Sequence, residues 1–271
     1  MYLSRHQSQA GVRWALDGHL LPEQFSLGLL LQLPQGAVAS FLGSFPKGEA
    51  ATGSLLPPIE ATQEVWASGV TYLRSREART AESDAKDVYE KVYEAERPEL
   101  FFKSTGVRAV GHGMKIGVRA DARWSVPEPE LTLALNSRME IVGFTAGDDV
   151  SSRDIEGANP LYLPQAKVYN GSCAIGPGIQ LATAGELGDI PISAEIDRGG
   201  ATVFRGDTRS SRMRRKLTDL ASYLGRALDF PQGALLMTGT GIVPGDDFSL
   251  VAGDRVRVTV GSLTLENEVG S

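Results

Sequence analysis

The sequence predicts a mixed α+β protein, mostly β, with a small N-terminal domain over residues 1–65 and a larger body over 66–271. Three observations predict it. Glu130-Leu-Thr-Leu-Ala-Leu135 and Arg255-Val-Arg-Val-Thr-Val260 alternate in polarity, as half-buried strands do. Turn signals separate short apolar runs through most of the chain, without the strand–helix rhythm of a parallel sheet. Leu55-Leu-Pro-Pro-Ile59 is a stiff extended connector, which sets the first 65 residues apart.

The elements follow in order. Leu27-Gly-Leu-Leu-Leu-Gln-Leu33 is a short apolar helix or strand ended by Pro34, and a Gly/Ser/Pro-rich stretch comes next. Glu64-Val-Trp-Ala-Ser-Gly-Val-Thr-Tyr72 reads as a strand. Residues 73–96, rich in Arg, Glu, Ala and Lys, read as helix, and Leu100-Phe-Phe-Lys103 begins a run of short strands. One helix interrupts them at about 209–228, where Met213, Leu217, Leu220, Leu224 and Leu228 recur at helical spacing.

Composition narrows the class of function. Hydrophobic residues make up 42% and charged residues 22% of the 271, an ordinary globular balance. The net charge of −6 argues against a nucleic-acid surface. The densest basic run, Arg209 to Lys216, opens the helical pattern and reads as a solvated face. A single cysteine, Cys173, excludes an internal disulfide and suits a reducing compartment. It reads as a small buried core thiol, because His6, His19 and His112 offer no spacing for a nucleophile–base pair. The N-terminus lacks the apolar run of a signal peptide, and no stretch approaches a membrane span. A soluble cytoplasmic protein is the expectation.

The chemistry concentrates in Val126-Pro-Glu128-Pro-Glu130-Leu131. Two carboxylates two residues apart on a strand share a face. Alone, that pattern is a solvated strand edge. Asn136-Ser-Arg-Met139 then reads as a turn and residues 140–146 as a returning strand. Antiparallel pairing around that turn makes residue numbers sum to about 275–277. Glu128 then faces residues 147–149, where Asp148 and Asp149 sit. Three clustered carboxylates repel unless a cation lies between them, and hard oxygen ligands suit Mg²⁺, Mn²⁺ or Ca²⁺.

Gly143-Phe-Thr-Ala-Gly-Asp-Asp149-Val-Ser-Ser-Arg153-Asp154 resembles the signature of the fumarylacetoacetate hydrolase family, an Asp-Val-Ser-Ala-Arg-Asp hexad with Ser152 in place of Ala. The Glu-x-Glu pair before it, Lys167 after it, Pro98-Glu-Leu-Phe-Phe-Lys103 and Gly239-Thr240-Gly241 fall in the family's order over residues 64–261. The resemblance implies a distorted β-roll catalytic domain and a Mg²⁺-type ion on Glu128, Glu130 and Asp149, with Asp148 pointing the other way. It also implies a homodimer or homotetramer.

Hydrolases of that family activate water with a His–Glu dyad on a short helix after a Gly-x-x-Tyr strand end. Here the strand end is Gly69-Val-Thr-Tyr72, and the dyad positions hold Ser75 and Ala78. Neither can deprotonate water. Trp66 to Tyr72, Val92 to Pro98, Glu156 to Gln165 and Gly239 to Gly245 are similar instead to the family's 2-keto-3-deoxy-D-arabinonate dehydratase branch. That branch implies conversion of a 2-keto-3-deoxy-pentonate to 2-oxoglutarate semialdehyde and water. In that reading Lys167 supplies positive charge or moves protons, with Glu99 a second acid–base group. Lys103 holds a carboxylate or enolate oxygen, Thr240 and its neighbouring amides bind the substrate carboxylate, and Arg76, with Arg74, contacts substrate hydroxyls. Arg153 and Asp154 read as a structural pair. The alternative is a hydrolase, decarboxylase or isomerase of a diketo acid, with its base recruited from Glu77 or Glu99.

Overall fold

Two large sheets and one two-stranded ribbon organise the computed structural model, which describes residues 1–9, 11–82 and 86–270. The ten-stranded sheet runs His19–Leu20, Gly11–Leu16, Tyr2–Ser8, Cys173–Leu181, Ile141–Asp149, Pro129–Leu135, Ala234–Met237, Glu64–Ala67 and Phe101–Thr105, with Ser54–Leu56 paired to Tyr2–Ser8 off that path. The five-stranded sheet runs Ala201–Arg209, Pro191–Arg198, Arg255–Val260, Leu263–Val269 and Lys115–Ile116. Ser125–Val126 and Ser151–Ser152 form the ribbon. Most pairings are antiparallel; Ala234–Met237 with Glu64–Ala67 and Leu263–Val269 with Lys115–Ile116 are parallel. Among the described residues no helix is long and apolar enough to cross a membrane.

The Pro129–Leu135 strand lies at the centre, and it is buried along its whole length rather than half-buried as its alternation suggests. Leu131, Leu133 and Leu135 face a core shared with Ile192, Ile196, Val256 and Val258 of the second sheet. Ala134 faces a second core built with Leu3, Trp14, Leu27, Leu30 and Leu31. Residues from the N-terminal 65 cover the face that carries Ala134. Those residues also extend the sheet itself, since Leu3 pairs with Ile179. Arg255–Val260, by contrast, is half-buried as its pattern predicts.

Other segments depart from the sequence reading. The strand expected over 64–72 ends at Ala67. Gly69 packs against the Glu99 side chain, where a Cβ would collide with the carboxylate. Val70 follows with a positive φ of 53°, a strained conformation for a β-branched residue. The helical stretch 73–96 is two helices, Leu73–Glu82 and Lys86–Glu94. The Gly/Ser/Pro-rich stretch contains a helix, Gln35–Gly43, entered from Pro34.

The helix expected over 209–228 is shorter. Arg209 still belongs to the edge strand, Ser210–Arg212 is a 3₁₀ turn, and the helix is Leu217–Leu224. Met213 forms a β-bridge with Tyr72, which holds the chain before the helix extended. Gly225 caps the helix, so Leu228 falls outside it and is exposed.

Candidate metal centre and active site

The hairpin of Pro129–Leu135 and Ile141–Asp149 builds the site. A bulge between Ile141 and Gly143 shifts the pairing by one, and Gly147 then faces Glu130 and Asp148 faces Pro129. One step further, the Asp149 N–H donates to the Glu128 carbonyl at 3.0 Å. The extended chain places Glu128 and Glu130 on one face. One carboxylate oxygen from each of Glu128, Glu130 and Asp149 lies within 4.8 Å of the others, and all three residues are buried. Asp148 turns away: its Oδ1 accepts the Glu128 N–H at 2.9 Å.

Cations surround these acids. Lys167 Nζ donates to Glu128 Oε2 at 2.9 Å, Asp149 Oδ2 at 2.8 Å and Ser151 Oγ at 2.7 Å. It also lies 5.6 Å from the centre of the Phe101 ring. Lys103 forms an ion pair with Asp149 Oδ1 and donates to the carbonyls of Val150 and Lys167. Arg153 Nη2 reaches Glu128 Oε1 at 3.0 Å. Neither lysine is a surface residue, with exposures of 1% for Lys103 and 2% for Lys167. The short helix Leu163–Lys167 presents Lys167, and Ser172 Oγ fixes its end by donating to the Lys167 carbonyl at 2.8 Å.

Burial and like charge raise Glu130 well above the usual carboxylate range: desolvation contributes most, followed by Asp149 and Glu128. Burial raises Asp148 to about 7. A small hard cation held by Glu128, Glu130 and Asp149 offsets the repulsion on Glu130, because it turns that repulsion into shared coordination. Four carboxylates (Glu128, Glu130, Asp148, Asp149) outnumber three cations (Lys103, Lys167, Arg153) in this buried group. The donor set is all oxygen and anionic, which fits Mg²⁺ or Mn²⁺ and not a thiolate-seeking ion.

The Gly-Thr-Gly turn serves the cluster directly. Gly239, at φ 92°, lies so close to Thr71 Oγ1 that a side chain would collide with it. Its N–H donates to Glu130 Oε2 at 2.6 Å. Thr240 is buried, and its Oγ closes the turn by accepting the Ile242 N–H at 3.1 Å. Glu99 is half-buried against Gly69. Arg76 engages Tyr93, its guanidinium 5.0 Å from the ring centre, and Arg214 sits 4.9 Å from the same ring. Arg74 and Glu77 are exposed on the helix, whereas Ser75 and Ala78 are buried. Asp154 Oδ2 accepts the Arg123 N–H. Cys173 pairs with Asp149 across the sheet, fully buried, and burial pushes its thiol up to about 12.

Four contributors escape a reading by spacing. The Arg153–Glu128 contact and the Ser151 hydroxyl lie within the hexad, so their sequence position marks them without revealing their partners. Ser172 carries no local signal. Tyr72 is 2% exposed and its hydroxyl has no hydrogen-bond partner among the described residues. Burial, then the charge of Glu130, raises that phenol.

The family model described as fumarylacetoacetate (FAA) hydrolase C-terminal matches residues 64–270. A Haloferax volcanii protein named probable 2-keto-3-deoxyxylonate dehydratase is 48% identical over 216 residues, 78% of this chain and 73% of the relative. The 2-dehydro-3-deoxy-D-arabinonate dehydratase of Saccharolobus solfataricus is 46% identical over 207 residues, 74% of this chain and 69% of the relative. A solved structure of 2-keto-3-deoxy-D-arabinonate dehydratase, complexed with magnesium and 2,5-dioxopentanoate, superposes with a TM-score of 0.83 at 36% identity, covering 100% of this chain and 99% of its own. With the family model matching residues 64–270 and two relatives at 46% and 48% identity, the chain belongs to the fumarylacetoacetate hydrolase family.

Proposed function

We propose that this chain is a Mg²⁺-dependent hydro-lyase that converts a 2-keto-3-deoxy-pentonate to 2,5-dioxopentanoate (2-oxoglutarate semialdehyde) and water. The observation that carries this is the buried Glu128–Glu130–Asp149 cluster with Lys167 inside it, on a chain whose dyad positions are a buried Ser75 and Ala78. The named activities of relatives at 46% and 48% identity support it. Xylonate and arabinonate of one D or L series differ only at carbons that a 2-keto-3-deoxy acid no longer holds as stereocentres, so the two names are compatible with one substrate.

The reaction removes a proton from C3 and the hydroxyl from C4, which leave together as water. C5 then loses a C–H proton and C3 gains one, leaving an enol at C4–C5; the enol O–H proton is lost as C4 gains one, and C5 becomes the aldehyde. When bound, the ion polarises the 2-keto group and so acidifies the C3 hydrogens. Glu128, Glu130 and Asp149 would hold it, with Arg153 and the Gly239 N–H fixing the first two carboxylates. We assign proton movement to Lys167, a reading supported by the position of its Nζ among three oxygens of the cluster. Lys103 supplies fixed positive charge for developing oxyanion character. Glu99 is a second acid–base candidate, and the turn at Thr240 would receive the substrate carboxylate.

Residues 66–271 form the catalytic unit in this reading and residues 1–65 an accessory one. A homodimer or homotetramer is the assembly we propose, and the cytoplasm the compartment, with the free buried Cys173 compatible with a reducing environment.

The test offers the enzyme a 2-keto-3-deoxy-D-pentonate with Mg²⁺ and, separately, an acylpyruvate. Semialdehyde read through a coupled aldehyde dehydrogenase is expected from the first, with solvent deuterium at C3 of the product, and almost no cleavage of the second. Rapid acylpyruvate cleavage without semialdehyde would overturn the dehydratase reading in favour of a hydrolase.

A further inference from the structure

We propose that the outer edge of the strand Ala201–Arg209 pairs antiparallel with the same strand of a second copy of this chain, centred on Gly206. The proposal rests on the homo-oligomer reading above and names its surface. The strand is nine residues long and borders the five-stranded sheet, bonded among the described residues only to Pro191–Arg198. Of its residues only Thr208 is buried, and Val203 is 43% exposed. Natural edges of this length are blunted by proline, by charged side chains (lysine above all), by bulges or by a covering element, because open backbone groups recruit other strands. This one holds neither proline nor lysine, and its charges, Arg205, Asp207 and Arg209, are of both signs and so can pair across a two-fold axis. Its bulge, where Ile196 faces Phe204 but Asp197 faces Thr202, lies toward the hairpin tip and leaves the following residues regular.

Charge selects the register. A two-fold pairing centred on Arg205 sets that residue against its own copy, and one centred on Asp207 does the same for the aspartate; like charges directly opposite are destabilising. Centring on Gly206 places Arg205 opposite the partner's Asp207, and two-fold symmetry makes that contact twice. Asp207 carries no ion pair among the described residues. Arg205 bonds Glu195 within its own sheet, but Arg257 Nη1 also reaches Glu195 Oε1 at 2.6 Å. Arg205 can therefore turn to the partner without leaving Glu195 unpaired. In the same register Phe204 faces the partner's Thr208 on the core side, and the two small Gly206 residues meet at the axis.

Light scattering coupled to size exclusion on the full chain, with sedimentation at several concentrations, tests the surface. Wild type is expected as a dimer or a larger even assembly. Asp207→Arg and Arg205→Asp should each shift it to the next smaller species, weakening association by roughly 10-fold or more. The double variant should recover association, because the exchange restores both contacts. Hydrogen exchange on the wild type gives an independent reading: amides of residues 203–209 should be protected in the assembly and lose protection on dilution. A wild-type oligomer indifferent to both single reversals, or a double variant no tighter than either single one, overturns this surface and leaves the oligomer reading standing. A monomeric wild type overturns both, whatever its activity.

Discussion

Glu128 and Asp149 are joined twice, once through the backbone, where the Asp149 N–H donates to the Glu128 carbonyl at 3.0 Å, and once through Lys167, whose ammonium bridges their carboxylates at 2.9 and 2.8 Å. The hairpin register brings the two acids together, and the lysine makes their proximity tolerable in a buried site. Three predictions follow from this arrangement and its neighbours.

Replacing Lys167 by methionine keeps its bulk and removes its charge. Two carboxylates then lose their buried counter-charge, and removing one partner of a buried pair costs about 3–5 kcal/mol. The chelated variant should therefore melt well below the chelated wild type. Excess Mg²⁺ should restore much of that difference, since a cation replaces a cation. Turnover should fall roughly 10²–10⁴-fold, the range for a lost proton-transfer group. Melting curves with and without Mg²⁺, alongside kcat, give both numbers; near-normal kcat would reduce Lys167 to a structural counter-ion.

Glu130→Gln acts in the opposite sense on the apo protein. Glu130 is raised by burial and by repulsion from Asp149 and Glu128, so a neutral isostere relieves a cost while its oxygen still accepts from Gly239. Stability in chelator should hold or rise. Mg²⁺ affinity should drop by at least the ~10–100-fold that follows loss of a mere supporting partner. Calorimetric titration with Mg²⁺ reads the affinity, and an unchanged value would remove Glu130 from the ligand set.

The pH dependence of the apo protein should be inverted relative to ordinary paired carboxylates. Asp148 rises from 3.8 to about 7 through desolvation, so the folded chain binds this proton more tightly than the unfolded one. Stability contributed this way is present at low pH and is lost as pH climbs from about 4 through about 7. Asp189, held at about 2 by Arg209 and Ser211, works in the other direction but is already ionised below that window. Denaturant midpoints measured in chelator should thus be higher at pH 5 than at pH 8. Asp148→Asn, which keeps an oxygen for the Glu128 N–H, should flatten the slope. An unaltered slope in that variant would assign the effect elsewhere.

How far the sequence reached varies by element. The register of the metal hairpin was legible because side-chain alternation and a short turn leave few pairings, and a one-residue slip would turn the acids away from each other. The choice of Asp149 over Asp148 came from the family signature, and the structure gives the reason: Asp148 is occupied by the Glu128 N–H. The assignment of Ser75 and Ala78 to the dyad positions rests on the family resemblance, and the structure adds that both side chains are buried. Less could be read from residues 209–228, where apolar spacing suggested one long helix. A bridge between Met213 and Tyr72 and a cap at Gly225 cut it to Leu217–Leu224. Both are decided by distant chain, which local periodicity does not record.

The sequence by itself therefore determined the family, the three metal-facing carboxylates and the nearby lysines as candidates, since each depends on residue type at fixed spacing. Only the tertiary structure decided that Pro129–Leu135 is covered on both faces, that Lys103 and Lys167 are buried, that Arg153 serves Glu128, and that the Gly239 N–H holds Glu130. The Arg76 guanidinium lies over the Tyr93 ring, a contact that its sequence position does not mark. Gly239 and Glu130 are 109 residues apart. A contact of that kind forms when strands distant in sequence lie side by side; burial makes the hydrogen bond stronger, and the bond offsets part of the cost of burying the carboxylate, a condition that no single stretch of chain can meet alone.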